Sequence, residues 1–383
     1  MKKFVELIER VHKERFSVVM NKIMAEKIPV AFLSLAPVAN AIQIVQNLRG
    51  QGANVTTLIT LDSAPPPDVR IDFEIVHISR VSKLQPRPEY VLVSEDVGRN
   101  PTSRLAIKLF PNSKVINISR DGSEFVYQIF MNNIENLYSV YESLIDEESK
   151  KTFCGYWLGA ISNCLGDLVH SNDMHYLTAG FIPEKGAIVI DGGAYDGATG
   201  VLFAGMGYKV YSFEMDNKNF EVAKKVAEEK NFVIENMGLG AYKQEIKYNP
   251  SGSSSRVNFN GTENAKITTI DAYVRENNLP RVDFIKLDVE GSELNTLKGA
   301  KTSISRYKPI LAISAYHKWD DFWTLMNFIK SIRPDYEFAM RHYASYAGEE
   351  APAAFGNELV DYFNFLDIEP VFKNWWECCI LAR

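Results

Sequence analysis

The 383-residue chain is poor in cysteine, has no long apolar run and carries no strong excess of either charge. Its four cysteines, Cys154, Cys164, Cys378 and Cys379, form no Cys-x-x-Cys pair and have no histidine at zinc spacing, which argues against a disulfide framework and a zinc module. Adjacent Cys378 and Cys379 point to opposite faces of a strand, a geometry that suits packing. No segment approaches the roughly 20 uncharged residues of a membrane span, and Glu6, Glu9 and Arg10 interrupt the leading segment, so no membrane contact is expected and the expected location is cytoplasmic. With 42 basic and 48 acidic residues interspersed to a net charge of -6, the chain lacks the basic footprint of a nucleic-acid binder. Internal repeats and low-complexity tracts are missing as well.

What is present is ample core material, 46% hydrophobic residues, over a length that suits two domains. Phe4, Leu7, Ile8 and Val11 fall at helical spacing and predict one amphipathic leading helix over residues 1 to about 26. Strands at 28–33, 54–61, 73–78, 90–93 and 114–118, with helices at 38–48 and 103–109, then predict a small Rossmann-like α/β domain of parallel order. Its first strand-to-helix turn, residues 34–38, carries side chains where a phosphate needs bare backbone, so a structural or partner-facing role is favoured over an unrecognised ligand site. Residues 123–150 read as a helix broken once. The charged stretch 146–151 sets the boundary between an N-terminal domain, 1–150, and a second domain, 151–383.

Residues 152–183 read as helical segments over the edge or mouth of that second domain. Strands at 187–190, 209–213, 232–235, 282–287 and 310–314 alternate with helices from about Thr199 and at 219–229, 270–276, 292–297 and 322–332. Two more strands, 337–341 and 377–382, follow. The pattern predicts a doubly wound sheet closed by a terminal antiparallel strand pair.

The apolar run 187–190 stops at Asp191 and enters Gly192-Gly193-Ala194-Tyr195-Asp196-Gly197. Glycine leaves the backbone open to a cofactor. The spacing also fits a loose dinucleotide fingerprint, but a pyrophosphate would be repelled by Asp191 and Asp196, whereas the ammonium and sulfonium of S-adenosylmethionine would be attracted. Ligands of open α/β sheets lie beyond the carboxyl ends of the strands. Asp191, Glu214, Asn236, Asp288, Glu290 and His317 all fall there. Glu214 follows the turn by close to the roughly 20 residues that place an acid on ribose hydroxyls; the alternative is a solvated strand-end acid.

The segments Ile190 to Gly197, Val210 to Glu214, Asn236 to Gly240, Thr269 to Asp271, Ile285 to Glu293 and Ile313 to Lys318 together resemble the FkbM-type S-adenosylmethionine-dependent methyltransferases, over about residues 170–383. The resemblance implies a class I methyltransferase-like fold and transfer of methyl to oxygen on a small hydroxylated acceptor such as a sugar or natural product. It places Asp191, Gly192, Gly193, Ala194, Tyr195, Asp196 and Thr199 around the methionine part of the cofactor and Glu214 on the ribose. Asn236, Met237 and Gly238 fall at the adenine edge, and Asp288 beside the cofactor. Packing remains the alternative for Tyr195 and Met237, and helix capping for Thr199. Two departures stand out: Gly197-Ala198-Thr199 occurs where the family often has another acid, and the first 150 residues lie outside the resemblance.

Methyl transfer is an in-line displacement governed by alignment and water exclusion. An alcohol acceptor also needs a base, worth roughly 10²–10⁴-fold. His317 is the leading candidate, with a structural histidine as the alternative. Asp288 and Glu290 are the other catalytic candidates, or with a third oxygen ligand they would hold Mg²⁺. The loop Ser251 to Ser255, followed by Arg256, reads as an anion nest or as plain surface. Tyr316, Trp319, Phe322 and Trp323 read as an acceptor floor or, on the helical spacing of Trp319, Phe322, Trp323 and Met326, as core. Self-association is compatible with the composition. The competing functions are a nicotinamide-dependent oxidoreductase and a noncatalytic assembly protein that retains a cofactor.

Overall fold

In the computed structural model the described residues are 2–13, 16–62, 64–94, 102–118, 123–162, 168–250, 256–257, 261–343, 345–346, 371–372 and 377–383. The chain divides into two compact units, residues 1–134 with 151–170 and 344–375, and residues 135–150 with 171–343 and 376–383.

The first unit begins with two helices, α1 (Lys2–Lys13) and α2 (Phe16–Glu26), where the spacing predicted one. Then follow β1 (Val30–Leu33), α3 (Val38–Gly50), β2 (Val55–Thr60), β3 (Glu74–His77), β4 (Tyr90–Val93), α4 (Thr102–Leu109), β5 (Lys114–Asn117) and α5 (Ser123–Asn132). The five strands form a parallel sheet in the order β3-β2-β1-β4-β5. Each residue of β1 is buried because both faces are covered, as its uninterrupted apolar sequence requires. Val30 and Phe32 pack with Ile42 and Val45 of α3, while Ala31 and Leu33 pack with Leu105 and Ala106 of α4. The Phe130 ring of α5 stands edge-on to Phe4 and to Trp157, at 5.8 and 5.5 Å.

The stretch expected as one helix with a single break is broken twice, into α5, α6 (Ile134–Ser143) and α7 (Glu147–Ser162). Asp146 Oδ1 accepts the amide of Ser149 at 2.7 Å and starts α7, which runs through the charged stretch to Ser162. Residues 168–183 are irregular, so the helical expectation there ends at Ser162.

The second unit contains β6 (Ile188–Gly192), α8 (Ala198–Gly205), β7 (Lys209–Phe213), α9 (Asn217–Lys230), β8 (Val233–Glu235), β9 (Gly238–Leu239), β10 (Gln244–Asn249), β11 (Arg256–Val257), β12 (Glu263–Thr268), α10 (Ile270–Glu276), β13 (Phe284–Leu287), α11 (Glu293–Lys298), α12 (Lys301–Tyr307), β14 (Ile310–Ser314), α13 (Asp321–Ile332) and β15 (Phe338–His342). A short pair, β16 (Ser345–Tyr346) and β17 (Val371–Phe372), belongs to the first unit, and β18 (Cys378–Ala382) returns to the second. The main sheet runs β15-β18-β14-β13-β6-β7-β8, parallel except for β18, which is antiparallel to both neighbours. This is the expected doubly wound sheet, with its last strand inserted between two earlier ones. Val189, Phe203, Phe284, Ala312, Ala339 and Leu381 share one core cluster. A separate four-stranded sheet, β11-β10-β12-β9, was not expected from the sequence. Most of β10 faces solvent, so its sequence lacks an apolar stripe.

Candidate active site

Because β6, β7, β8, β13 and β14 run parallel, their carboxyl ends bring the strand-end residues to one edge of the sheet. The turn after β6 is held by the amides of Gly193 and Ala194, which both donate to the Phe213 carbonyl at 3.0 Å. Gly193 has φ +79°, and a Cβ built there would lie well inside contact distance of the Asp288 carbonyl oxygen. Gly192 is confined less tightly, by the side-chain ends of Leu239 and Leu287. Gly193 therefore lets two strand-end loops close on each other, a demand separate from any cofactor.

Asp191 is fully buried, and its Oδ2 accepts hydrogen bonds from Ser212 Oγ (2.9 Å) and Thr199 Oγ1 (3.0 Å). Its Oδ1 lies 3.1 Å from Lys286 Nζ, which also donates to the carbonyls of Gly192 (3.2 Å) and Gly193 (2.6 Å). Burial works to lower the Lys286 pKa, but Asp191 and Asp288 outweigh it and hold the ammonium firmly charged. Asp191 thus faces a cation supplied by the protein itself. Asp196 is exposed and accepts the Ala198 amide at 3.0 Å, where α8 begins. Ala194 is buried and Tyr195 half-exposed with φ +49°.

Glu214, just beyond β7, is 7% exposed, and its Oε2 and Oε1 accept the amides of Tyr195 and Asp216, each at 2.8 Å. Burial raises its pKa against the opposing pull of those amides. Each oxygen keeps a lone pair, the capacity needed to accept from a vicinal diol. These two acceptor oxygens fit the hydroxyl pair of the ribose in an adenosyl cofactor. Its amide donates to the Glu235 carbonyl, next to which Asn236 is exposed and Met237 half-buried. Asn236 Nδ2 donates to Asn217 Oδ1 at 2.8 Å, and Gly238 enters β9.

At the end of β13, Asp288 accepts the hydroxyl of Tyr176 on Oδ2 and that of Tyr316 on Oδ1, both at 3.0 Å. Burial works to raise its pKa, but Lys286, His317 and the two hydroxyls prevail and keep it ionised. Burial and the Asp288 charge hold both phenols protonated. The loop then turns through two left-handed residues, Glu290 at φ +54° and Gly291 at φ +91°. Glu293 is fully buried, and its Oε1 accepts the amides of Val289 (3.0 Å) and Gly291 (3.2 Å).

His317, on the loop after β14, has a side chain 3% exposed. Its Nδ1 lies 2.9 Å from Glu293 Oε1, and its Nε2 lies 3.6 Å from Asp288 Oδ1 and 3.5 Å from Glu290 Oε2. Burial works to lower its pKa, and the three carboxylates more than reverse that. Asp288, Glu293 and His317 also offer one ligand atom apiece within 4.8 Å of one another.

The structure thus joins the turn 191–197, Thr199 and Glu214 to Asp288, Glu290 and His317 through direct contacts. Sequence reasoning gave no site role to Tyr176, Lys286 or Glu293. Glu293 sits in the Asp288-x-Glu290-Gly291-x-Glu293 spacing, a signal that a returning helix-start acid supports the loop. Phe322 and Met326 are core residues of α13, whereas Trp319 and Trp323 are half-buried. Cys164 and the 251–255 loop lie outside the described residues.

A seven-stranded sheet of this order, with an acid-bearing site at its parallel strand ends, is class I methyltransferase-like. Residues 191–344 match the model of the family described as the methyltransferase FkbM domain. A crystal structure of methyltransferase FkbM from Methylobacillus flagellatus is similar over 99% of each chain, with TM-score 0.62 and 17% identity. A precorrin-6y C5,15-methyltransferase from Geobacter metallireducens matches over 52% of this chain and 80% of its own, with TM-score 0.32 and 10% identity. No curated protein matches the sequence. Among the described residues no helix is long and apolar enough to cross a membrane.

Proposed function

We propose that this chain transfers a methyl group from S-adenosylmethionine to an oxygen of a small hydroxylated acceptor. The observation that carries the reading is Glu214, a buried carboxylate at the end of the second strand, pinned by two amides and joined through Tyr195 to the glycine turn.

When bound, the cofactor supplies an electrophilic methyl group. Glu214 accepts the ribose hydroxyls, the turn 192–196 borders the methionine part, and Asn236, Met237 and Gly238 border the adenine. Asp191, Thr199, Ser212 and Lys286 hold the turn from behind. Glu214, Asp288 and Glu290 bring negative charge to the strand ends where a cationic donor would lie, while Asp191 already faces Lys286. His317 takes the acceptor proton, and the carboxylates around it stabilise the imidazolium that results.

Calorimetric titration with S-adenosylmethionine tests the site, and labelled methyl transfer to a metabolite mixture tests the reaction. Glu214→Ala is expected to weaken binding by about 1.5–3 kcal/mol, the scale for a lost charge-assisted bond. Unchanged affinity would remove Glu214 from the ribose, and transfer of label to protein or nucleic acid alone would overturn the small-acceptor reading.

A further inference from the structure

We propose that Glu293 is a positioning residue for His317, fixing the imidazole with its proton on Nδ1 and leaving Nε2 as the basic nitrogen. This rests on the methyl-transfer reading of the same site and names the group that prepares its base.

Glu293 is immobilised by its surroundings. It is the first residue of α11, it is fully buried, and two loop amides hold its Oε1. The amides belong to the loop containing Glu290 and Gly291, whose left-handed backbone costs energy at the non-glycine position and persists only when surroundings enforce it. A carboxylate so anchored presents one oxygen in a set direction. His317 Nδ1 meets that oxygen at 2.9 Å. An ionised carboxylate accepts but does not donate, so the adjacent ring nitrogen keeps the proton in the neutral imidazole as well.

The opposite nitrogen is in a different position. Nε2 is buried and lies 3.5 and 3.6 Å from two carboxylate oxygens, farther than the 2.9 Å between Nδ1 and Glu293. An acceptor hydroxyl placed there gives its proton to Nε2. A bound methyl donor would supply the carbon to which the oxygen's electron pair bonds, with the carbon–sulfur pair leaving on sulfur as a neutral thioether. The imidazolium then lies among Glu293, Asp288 and Glu290, so charge created in the step is met by charge already in place.

A cation shared by Asp288, Glu293 and His317 is the rival use of these atoms. Asp288 and Glu293 Oε1 already receive donors from Tyr176, Tyr316, Val289 and Gly291, whereas Glu293 Oε2 has none, so binding of Mn²⁺ separates the two uses.

The test is nitrogen-15 NMR of the full chain labelled at histidine, titrated in pH, with the His317 resonances assigned by their loss in His317→Gln. The neutral ring is expected to keep its proton on Nδ1. In Glu293→Gln, which retains an acceptor for the loop amides, the His317 midpoint is expected to move to lower pH because a negative partner is lost. A neutral ring protonated on Nε2, an unmoved midpoint, or broadening of His317 by one equivalent of Mn²⁺ would each overturn the proposal. The wild-type tautomer decides the matter if the variant does not fold. Neither readout needs cofactor or acceptor, so the dyad and methyl transfer fail separately.

Discussion

Asp321 sits at the start of α13, 2% exposed, with Oδ2 accepting the Lys318 amide at 2.9 Å. Burial, reinforced by the charge of Glu293, raises its pKa to about 7. The folded chain therefore keeps a proton that the unfolded chain releases near pH 4, and stability declines as pH rises between those values. Asp321→Asn removes the penalty while keeping an oxygen for the amide. Its melting temperature is expected to exceed that of the wild type by more at pH 8 than at pH 5; equal differences would show that Asp321 is not held protonated. The same buried acidic group explains what the sequence could and could not disclose. Asp288, Glu290 and His317 are visible as polar residues at the ends of apolar strands. Lys286 and Glu293 are not, because each acts by meeting a partner far away in the chain. Lys286 lies within an apolar strand and reaches Asp191, and Glu293 begins a helix and reaches His317.

The turns joining strand to helix carry the site, and their shape is imposed by close approach between neighbouring turns. Gly193→Ala adds a methyl group against the Asp288 carbonyl at a left-handed residue. The left-handed conformation alone costs about 1–2 kcal/mol with a side chain, and an overpacked contact adds about 1–3 kcal/mol. Denaturant unfolding is expected to give a loss of at least about 2 kcal/mol with an unchanged slope; a loss below about 0.5 kcal/mol would show that the loops separate freely. Elements with a strong apolar signal were legible. The strands of the main sheet and helices α3, α9, α10 and α13 lie close to their expected positions. The β9 to β12 sheet escaped because alternation is weak where both faces see water, as the exposed β10 shows. The expected helices after residue 162 failed for the opposite reason: Tyr176, Leu177 and Phe181 supply an apolar signal, but they bury irregular chain.

Across the whole molecule, periodicity told which faces are buried but not which strands are neighbours. The antiparallel character of the final strands was legible, whereas the insertion of β18 between β14 and β15 was not, since nothing local encodes it. All five residues of β18 are buried. Ile380 and Leu381 alone represent about 1.5–3 kcal/mol each of burial, against a typical domain stability of about 5–15 kcal/mol. Removing residues 377–383 is expected to abolish the cooperative calorimetric transition of the second unit; a transition that survives within a few degrees would show that β15 can close the sheet by itself.

That strand order also constrains biosynthesis. On the ribosome, β14 and β15 emerge with the slot between them empty, and the strand that fills it follows more than thirty residues after β15. Until residue 382 clears the exit tunnel, the nascent sheet presents unpaired edges, the kind of surface that invites strand exchange between neighbouring nascent chains.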